Sequence, residues 1–284
     1  MTSPKKLLNA WNLRPKKKLG QHFLVDPSTS ETIVRRSKIT SSDTVVEIGA
    51  GLGALTIPLA KTARHVYAVE ADSQLTQLLK TELLVHKLKN VDLIEKSILR
   101  VDIASLARKP HRQLIVIGNL PYNISSQVLI QLIHARSIVK RAILMFQKEL
   151  ARRITASPGS KEYGRLTVML SYCAEIKSIA TMAASLFYPS PKVDSEVVEI
   201  NFNTSRQYPS HDESMLFQVI KAAFGTRRKT LKNALAASGL HIDPQMARRA
   251  LNSAGIDPTR RAETLNVSEF ISLQISLAKI LKSP

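Results

Sequence analysis

Cysteine is almost absent from this chain of 284 residues, which contains a single one, Cys173. One cysteine can form neither an intramolecular disulfide nor a cysteine-type zinc cluster, so a disulfide-stapled scaffold is excluded and a reducing compartment is expected. Long apolar runs are also missing. No window approaches the roughly 20 apolar residues of a membrane span, and the first apolar stretch is too short for a secretory signal. We therefore expect a soluble, cytoplasmic protein with no membrane partner.

Acidic side chains are few compared with basic ones. The chain has 22 aspartate and glutamate residues against 41 lysines and arginines, which gives a formal net charge of +19. Residues 1–42, 43–203 and 204–284 carry +7, +6 and +6, so both ends exceed the middle in net charge per residue. So much charge of one sign repels itself unless a polyanion binds, which makes nucleic acid the first candidate partner.

The rest of the composition, 44% hydrophobic, is that of a folded chain, and the length predicts one large domain and a smaller one. From about residue 43 strand-like and helix-like patterns alternate, which predicts an α/β fold with a parallel, doubly wound sheet. The strand patterns lie at 44–49, 65–72, 91–97, 113–119 and 141–147, and the helical ones at 52–63, 73–87, 124–135 and 148–156. Pro58 alone disagrees with its helix.

After residue 160 the alternation ends. The run EIKSIATM and residues 193–202 predict two strands close in sequence, an antiparallel pair that closes one edge of the sheet. The polar segment 203–213 predicts a linker, and the chain after it is helical, with a first helix expected along SMLFQVIKAAFGTRRKTLKNALAAS. The end of the chain therefore predicts a small all-helical domain.

A glycine loop follows the first predicted strand. Gly49, Gly51 and Gly53 lie between that strand and the first helix, where the backbone can approach a ligand beside the amides of a helix N-terminus. Glu70 ends the second predicted strand, where a carboxylate can accept hydrogen bonds from both hydroxyls of a ribose. Together they predict a site for an adenosine-containing cofactor. Gly49, Gly51 and Ala54 also satisfy the dinucleotide fingerprint, so the loop alone leaves the cofactor open.

The tetrapeptide NLPY, residues 119–122, follows the fourth predicted strand. The Asn119 side-chain oxygen and the Leu120 backbone carbonyl can converge as two acceptors, with the Tyr122 ring beside them and Pro121 stiffening the loop. Two acceptors that grip the N–H groups of an exocyclic aromatic amine would hold its nitrogen towards an electrophile. Hydride transfer has no use for such an arrangement, so a nicotinamide-dependent dehydrogenase would leave NLPY unexplained.

With these motifs the sequence resembles the class I S-adenosylmethionine-dependent methyltransferases and, within them, the ribosomal RNA adenine dimethyltransferases, most closely their bacterial small-subunit branch. The resemblance covers nearly the whole chain. Its carriers are KKLGQHFL (17–24), VVEIGAGLGALT (45–56), VYAVEAD (66–72), GNLPYNISSQVL (118–129), MFQKELARRI (145–154), YGRLTVML (163–170), FYPSPKVDS (187–195) and FGTRRKTLKNAL (224–235).

The resemblance implies a reaction. Methyl groups would pass from S-adenosylmethionine to the N6 amines of two adjacent adenosines near the 3′ end of small-subunit (16S) rRNA, within an immature 30S particle during ribosome biogenesis. The products would be N6,N6-dimethyladenosine and S-adenosylhomocysteine. No metal is implied, and a monomer is expected. The expected organisation is a basic N-terminal segment packing on the cofactor site (1–42), a Rossmann-like methyltransferase domain (43–203) and a helical RNA-binding domain (204–284).

The resemblance also implies roles for individual residues. In this family the QHFL segment closes over the cofactor. The implied cofactor contacts are His22, Leu24, Gly49, Gly51, Gly53, Glu70, Ser97 and Asn119. Asn119, Leu120 and Tyr122 would hold the target adenine, and Phe187 would stack on its other face.

Ser97 departs from the family pattern. The family usually has an aspartate at this position, at the end of the third predicted strand, which accepts a hydrogen bond from the cofactor's adenine amine. A serine hydroxyl still accepts, but it lacks the charge that makes such a bond about twice as strong. Asp102 or a water molecule is the alternative acceptor.

Clusters of basic residues are the candidates for phosphate contacts. They are Lys16, Lys17 and Lys18 near the N-terminus, and Arg227, Arg228, Lys229 and Lys232 in the first helix of the C-terminal domain. On a helix Arg228 and Lys232 share a face, which predicts a basic strip suited to RNA.

Two other functions remain open at this point. The first is a large-subunit rRNA dimethyltransferase of the macrolide-resistance type, which would hold its target adenine with a motif of the same kind as NLPY. The blocks GNLPYNIS, FYPSPKVDS and RRKTLKNAL favour the small-subunit branch. A non-catalytic ribosome-assembly or transcription factor on the same fold is the second, and the intact Glu70 and Asn119 argue against it.

Overall fold

A computed structural model describes residues 3–107, 113–202, 208–226 and 228–282. The chain divides into two compact units, Met1–Ala151 with Glu175–Asn203 and Arg152–Ala174 with Thr204–Pro284. The sequence-based division placed Arg152–Ala174 in the first domain. The structure groups it with the second unit because its helix packs against helices from the C-terminal part of the chain.

A mostly parallel sheet forms the centre of the first unit. The strands of the chain are β1 (Phe23–Leu24), β2 (Thr44–Ile48), β3 (His65–Glu70), β4 (Val91–Glu95), β5 (Leu114–Asn119), β6 (Val139–Gln147), β7 (Glu175–Met182), β8 (Phe187–Tyr188) and β9 (Ser195–Asn201). The order in the main sheet is β4-β3-β2-β5-β6-β9-β7, with β9 antiparallel to both of its neighbours and the other pairs parallel, and β1 pairs with β8 outside it. This confirms the predicted sheet and its antiparallel edge.

Helices connect these strands. They are α1 (Pro4–Ala10), α2 (Pro27–Arg36), α3 (Thr56–Thr62), α4 (Ser73–Val85), α5 (Ile103–Leu106), α6 (Ser125–His134) and α7 (Lys148–Ile154), in which the boundary between the units falls. The helix predicted from residue 52 begins only at Thr56, so Pro58 lies in the first turn, where its missing N–H costs no hydrogen bond. No helix within the described residues is long and apolar enough to span a membrane.

The strand order reverses between β2 and β5, and ligands of open α/β sheets bind at such a reversal. Register pairs Ile48 with Gly118 there. A Cβ on Gly118 would lie 2.4 Å from the Ile48 carbonyl oxygen, so this close approach requires glycine. The two strands therefore end side by side, and the glycine loop after β2 lies next to Asn119 at the end of β5.

The second unit is helical. Its helices are α8 (Arg165–Cys173), α9 (Glu213–Ala223), α10 (Leu231–Ala236), α11 (Pro244–Ser253) and α12 (Val267–Lys282). Leu216, Leu235, Leu251 and Phe270 are fully buried between them. Cys173 is buried as well, with its thiol 3.2 Å from the Met169 carbonyl oxygen.

The prediction of one long helix after the linker is wrong, because the structure has two helices, α9 and α10, and the described residues of the connection between them, 224–226 and 228–230, are not helical. The Gly225 N–H donates to the Ala222 carbonyl at the end of α9. The Leu231 N–H donates to the Arg260 carbonyl at 2.7 Å, which attaches the start of α10 to another part of this unit. Arg228 and Lys229 therefore lie in the connection rather than on a helical face shared with Lys232. Arg227 lies outside the described residues.

Candidate active site

A cavity of about 190 Å³ lies at the reversal of strand order, beside the ends of β2, β3 and β5. One wall comes from the segment before β1, residues 16–22, which we term the strap. Ile48, Val69 and Leu75 supply an apolar wall of the cavity. The cavity brings together the following residues predicted from the sequence: His22, Gly49, Gly51, Glu70, Ser97, Asn119 and, at its edge, Lys18.

Glu70, at the end of β3, is held by backbone amides. Its Oε2 accepts from the Gly51 N–H at 2.9 Å, and its Oε1 accepts from the Ala71 and Asp72 N–H groups, each at 2.9 Å. Burial raises the pKa of this carboxyl, and the three amide bonds act in the opposite direction. A carboxylate has about four acceptor positions, so Glu70 can still accept from a ligand hydroxyl while it fixes the glycine loop.

The glycines of the loop have different roles. Gly51 lines the cavity with φ of +55°, a left-handed conformation that favours glycine. Gly53 packs against α4 instead, where a Cβ would lie 2.6 Å from Leu79 Cδ1. Gly53 is absent from the lining of the cavity, so the structure gives it a packing role where a cofactor contact was predicted.

Glu47 on β2 is a second buried carboxyl near the loop. Its side chain is 1% exposed, and Oε2 has no hydrogen-bond partner among the described residues. Burial raises the pKa of Glu47 to about 8, with a further contribution from the charge of Glu70. Glu47 is therefore mostly neutral at pH 7.

Asn119 has a defined amide orientation. Its Nδ2 lies 2.8 Å from the His22 carbonyl oxygen. Because a carbonyl only accepts, the amide nitrogen must face the strap, and Oδ1 lies on the other side of the amide group. No described residue donates to Oδ1, so this acceptor of the cavity-lining Asn119 is free to meet a ligand, and the role predicted for Asn119 stays a prediction.

The rest of NLPY is fixed by its neighbours. The Leu120 side chain is 1% exposed, and its N–H donates to the Met145 carbonyl of β6 at 3.3 Å. The Tyr122 hydroxyl lies 3.2 Å from Ser195 Oγ, and its ring stacks on His22 with centroids 5.6 Å apart. Burial raises the pKa of Tyr122, so the hydroxyl stays protonated.

Leu24 and Phe187 do not line the cavity. They face each other in the β1–β8 pair and are 5% and 4% exposed within the main apolar cluster. The predicted contact of Leu24 with the cofactor and the predicted stacking of Phe187 on the target base stay predictions.

Ser97 precedes a short 3-10 turn and lines the cavity, half-buried. Its hydroxyl caps no helix, so it is available to a ligand. Asp102, the alternative acceptor, instead caps α5 by accepting from the Ala104 N–H at 3.0 Å, and it does not line the cavity. Lys96, adjacent to Ser97, does line it, although no motif in the sequence singles it out.

Among the predicted RNA contacts, Lys16 differs from the others because it forms an ion pair within the chain. Its Nζ lies 2.8 Å from Asp72 Oδ1, so its charge is already paired within the chain. Gln21 of the strap also bonds to Asp72, at 2.9 Å. Gln21 stands in the QHFL block, and that position is the only sequence signal for it. Lys17 and Lys18 are exposed, as are Arg228 and Lys229 in the second unit, where Lys232 is partly buried.

Comparison with known proteins assigns the family. The model of the family described as "Ribosomal RNA adenine dimethylase" matches residues 12–279. The chain belongs to the ribosomal RNA adenine dimethylase family. This confirms the resemblance read from the sequence.

Relatives of this dimethylase agree with the assignment. A protein from Desulforapulum autotrophicum named ribosomal RNA small subunit methyltransferase A is 51% identical over 98% of this chain and 97% of its own length. A solved dimethyladenosine transferase from Plasmodium falciparum is 26% identical, with a TM-score of 0.74 over 91% of this chain and 98% of its own. The 23S rRNA methyltransferase ErmE, at 24% identity and a TM-score of 0.63 over 90% of this chain and 99% of its own, shares the fold.

Within the described residues of this dimethylase, no group of three or more His, Cys, Asp and Glu side chains is arranged to hold a metal ion.

Proposed function

We propose that this dimethylase transfers methyl groups from S-adenosylmethionine to the N6 amines of two adjacent adenosines near the 3′ end of small-subunit rRNA, giving N6,N6-dimethyladenosine. The observation that carries the proposal is the Asn119 amide, whose Oδ1 is presented as an acceptor in the same cavity as Glu70 and the glycine loop. The small-subunit name of a relative that is 51% identical supports the choice of RNA. We further propose that the protein works in the cytoplasm, as a monomer and without a metal, on an immature 30S particle.

The cavity residues fit this cofactor. Glu70 offers a fixed carboxylate to ribose hydroxyls, the apolar wall suits the adenine ring, and the Ser97 hydroxyl can accept from the adenine amine. When bound, S-adenosylmethionine supplies a methyl group activated by its sulfonium. The assigned cofactor contacts are thus His22, Gly49, Gly51, Glu70, Ser97 and Asn119.

The chain's own part in the reaction is to bind and orient the target amine. Asn119 Oδ1 and the Leu120 carbonyl accept from its two N–H groups, which holds the nitrogen in place and favours the pyramidal geometry it needs to attack. Tyr122, fixed by Ser195 and His22, lies beside them against the base. The attacked nitrogen becomes strongly acidic on methylation and loses one proton to solvent after each transfer. After the first transfer the amine therefore keeps one N–H, and one of the two acceptors is enough for the second.

Reaching the adenine requires it to leave its stack, and the RNA backbone must then lie along the protein. We assign phosphate contacts to Lys17 and Lys18 in the first unit and to Arg228, Lys229 and Lys232 in the second. Lys16 is left out because Asp72 already neutralises it.

The proposal is tested by incubating the protein with labelled S-adenosylmethionine and undermethylated small ribosomal subunits, followed by mass analysis of the RNA. We expect label in dimethyladenosine at two adjacent positions near the 3′ end. Label confined to large-subunit RNA would favour the macrolide-resistance type of enzyme. Tight binding to small subunits without any label would favour a non-catalytic assembly factor.

A further inference from the structure

The strap lies along one side of the cavity, and hydrogen bonds at both of its ends hold it in place. Lys18, Leu19 and Gly20 line the cavity from the middle of the strap, and Gln21 and His22 from its end. The strap therefore borders any ligand that occupies the cavity.

The first attachment is Asp72, which stands just before α4. Its side chain is 3% exposed. Oδ1 accepts from Lys16 Nζ at 2.8 Å and Oδ2 accepts from Gln21 Nε2 at 2.9 Å, while the Lys16 N–H donates to Gln21 Oε1 at 2.7 Å. One carboxylate thus joins the beginning and the end of the strap. Although burial alone would raise the pKa of Asp72, the bonds from Lys16 and Gln21 outweigh it and lower the pKa, so the carboxyl is ionised.

The second attachment is at His22. Its carbonyl accepts from Asn119 Nδ2 at 2.8 Å, and its Nδ1 lies 2.6 Å from the Pro189 carbonyl oxygen, to which it donates. The ring stacks on Tyr122. The position of the strap therefore sets the orientation of the Asn119 amide, because only a strap in this position offers the amide nitrogen its acceptor.

We propose that Asp72 is a positioning residue that latches the strap over the cofactor cavity through Lys16 and Gln21. The latch slows release of the bound cofactor and keeps Asn119 Oδ1 directed at the target amine. The identity of the ligand rests on the function proposed above. Neither Lys16 nor Asp72 touches the reacting atoms in this scheme.

Asp72 also caps α4, since its Oδ1 accepts from the Gln74 N–H at 3.2 Å, so a test must separate the two roles. Asparagine is about as good a helix cap as aspartate, and Asp72→Asn therefore keeps the cap while it removes the charge that binds Lys16. Lys16→Met removes the same ion pair from the other side, at a residue whose side chain is 44% exposed and therefore contributes little to the core. Asp102→Asn is the matched control, because Asp102 caps α5 away from the cavity.

The measurement is the dissociation rate of S-adenosylhomocysteine from the full-length protein, followed by displacement in a stopped-flow instrument. We expect about tenfold faster release from Asp72→Asn and from Lys16→Met, equivalent to about 1.4 kcal/mol, and an unchanged rate for Asp102→Asn. The double variant should release no faster than either single one, because both remove the same pair. With small subunits as substrate and saturating S-adenosylmethionine, kcat should fall in both single variants.

Wild-type release rates in both Asp72→Asn and Lys16→Met would overturn the latch, and so would strictly additive effects in the double variant. Equal losses of thermal stability in Asp72→Asn and Asp102→Asn with no change in release would assign Asp72 a capping role alone. If Asp72→Asn does not fold, Lys16→Met decides by itself. A wild-type protein that fails to bind S-adenosylhomocysteine refutes the proposed cofactor, whereas normal binding with unchanged release refutes only the latch.

Discussion

Replacing Asn119 by alanine tests the centre of the proposed mechanism. The substitution removes the Oδ1 acceptor from the cavity and also the Nδ2 donor that meets the His22 carbonyl at 2.8 Å. Loss of a polar group that stabilises a transition state typically costs about 10²–10³ in kcat, or about 2.7–4 kcal/mol. We expect a loss in this range for methyl transfer, together with about 1 kcal/mol of folding stability for the partly buried bond to His22.

The assay is single-turnover transfer of tritiated methyl groups to undermethylated small subunits, with calorimetry of S-adenosylhomocysteine in parallel. Cofactor binding should remain detectable, because Glu70 and the glycine loop are unaltered in Asn119→Ala. Asn119→Asp gives a sharper comparison. It keeps oxygen acceptors but cannot donate to the His22 carbonyl, so we expect transfer to fall here as well.

The orientation argument makes the two variants informative together. A near-normal transfer rate in Asn119→Ala would refute the role of Asn119 outright. Full activity in Asn119→Asp with loss in Asn119→Ala would mean that any acceptor suffices and that the bond to the strap does not matter.

Three further predictions follow from single residues. Ser97→Asp should tighten cofactor binding severalfold in calorimetry, by restoring a charged acceptor; unchanged or weaker affinity would contradict the alignment of Ser97 with the family aspartate. Phe187→Leu should retain methyl transfer within a few-fold, because Phe187 is 4% exposed in the core. A loss of transfer in a variant with normal thermal stability would instead support the predicted stacking of Phe187 on the base. The pKa of Glu47 is raised from 4.5 to about 8, so between these pH values the folded state binds one more proton than the unfolded state. The free energy of unfolding should therefore fall as pH rises from about 5 to 8, by at most about 1.4 kcal/mol per pH unit. Urea unfolding of Glu47→Gln should lack this fall, and parallel pH profiles of the wild type and the variant would refute the prediction.

Local patterns in the sequence predicted the sheet and much of the cavity. The apolar runs of β2 and β5 mark parallel strands buried on both faces, and the positions of Gly51, Glu70 and Asn119 just at or after strand ends bring them to one edge of the sheet. These features depend on periodicity and on the fixed geometry of parallel strands. Both can be read along the chain without knowledge of distant contacts.

The contacts that fix the strap could not be read in this way. Lys16 and Asp72 are 56 residues apart, and Asn119 and His22 are 97 apart, so neither pair shares a local pattern. A run of lysines looks the same whether its members meet phosphate or a buried carboxylate. Burial of Phe187 has the same origin, since an aromatic residue between a predicted strand and a proline-containing loop gives no sign of which side its ring will face. The break between α9 and α10 depends on the Leu231 N–H finding the Arg260 carbonyl, another contact between distant parts of the chain.

The use of an amide at position 119 follows from the two demands placed on that side chain. The strap offers only a carbonyl, so the side chain must donate on one side, while the target amine offers N–H groups, so it must accept on the other. A carboxylate cannot donate, and a lysine cannot accept. A hydroxyl can do both, but the reach of serine is shorter by one atom. In the proposed mechanism, the amide of Asn119 satisfies the strap and the target at once. The net charge of +19 would then serve a separate purpose, attraction of the RNA, while the acceptors that choose the reacting nitrogen are uncharged.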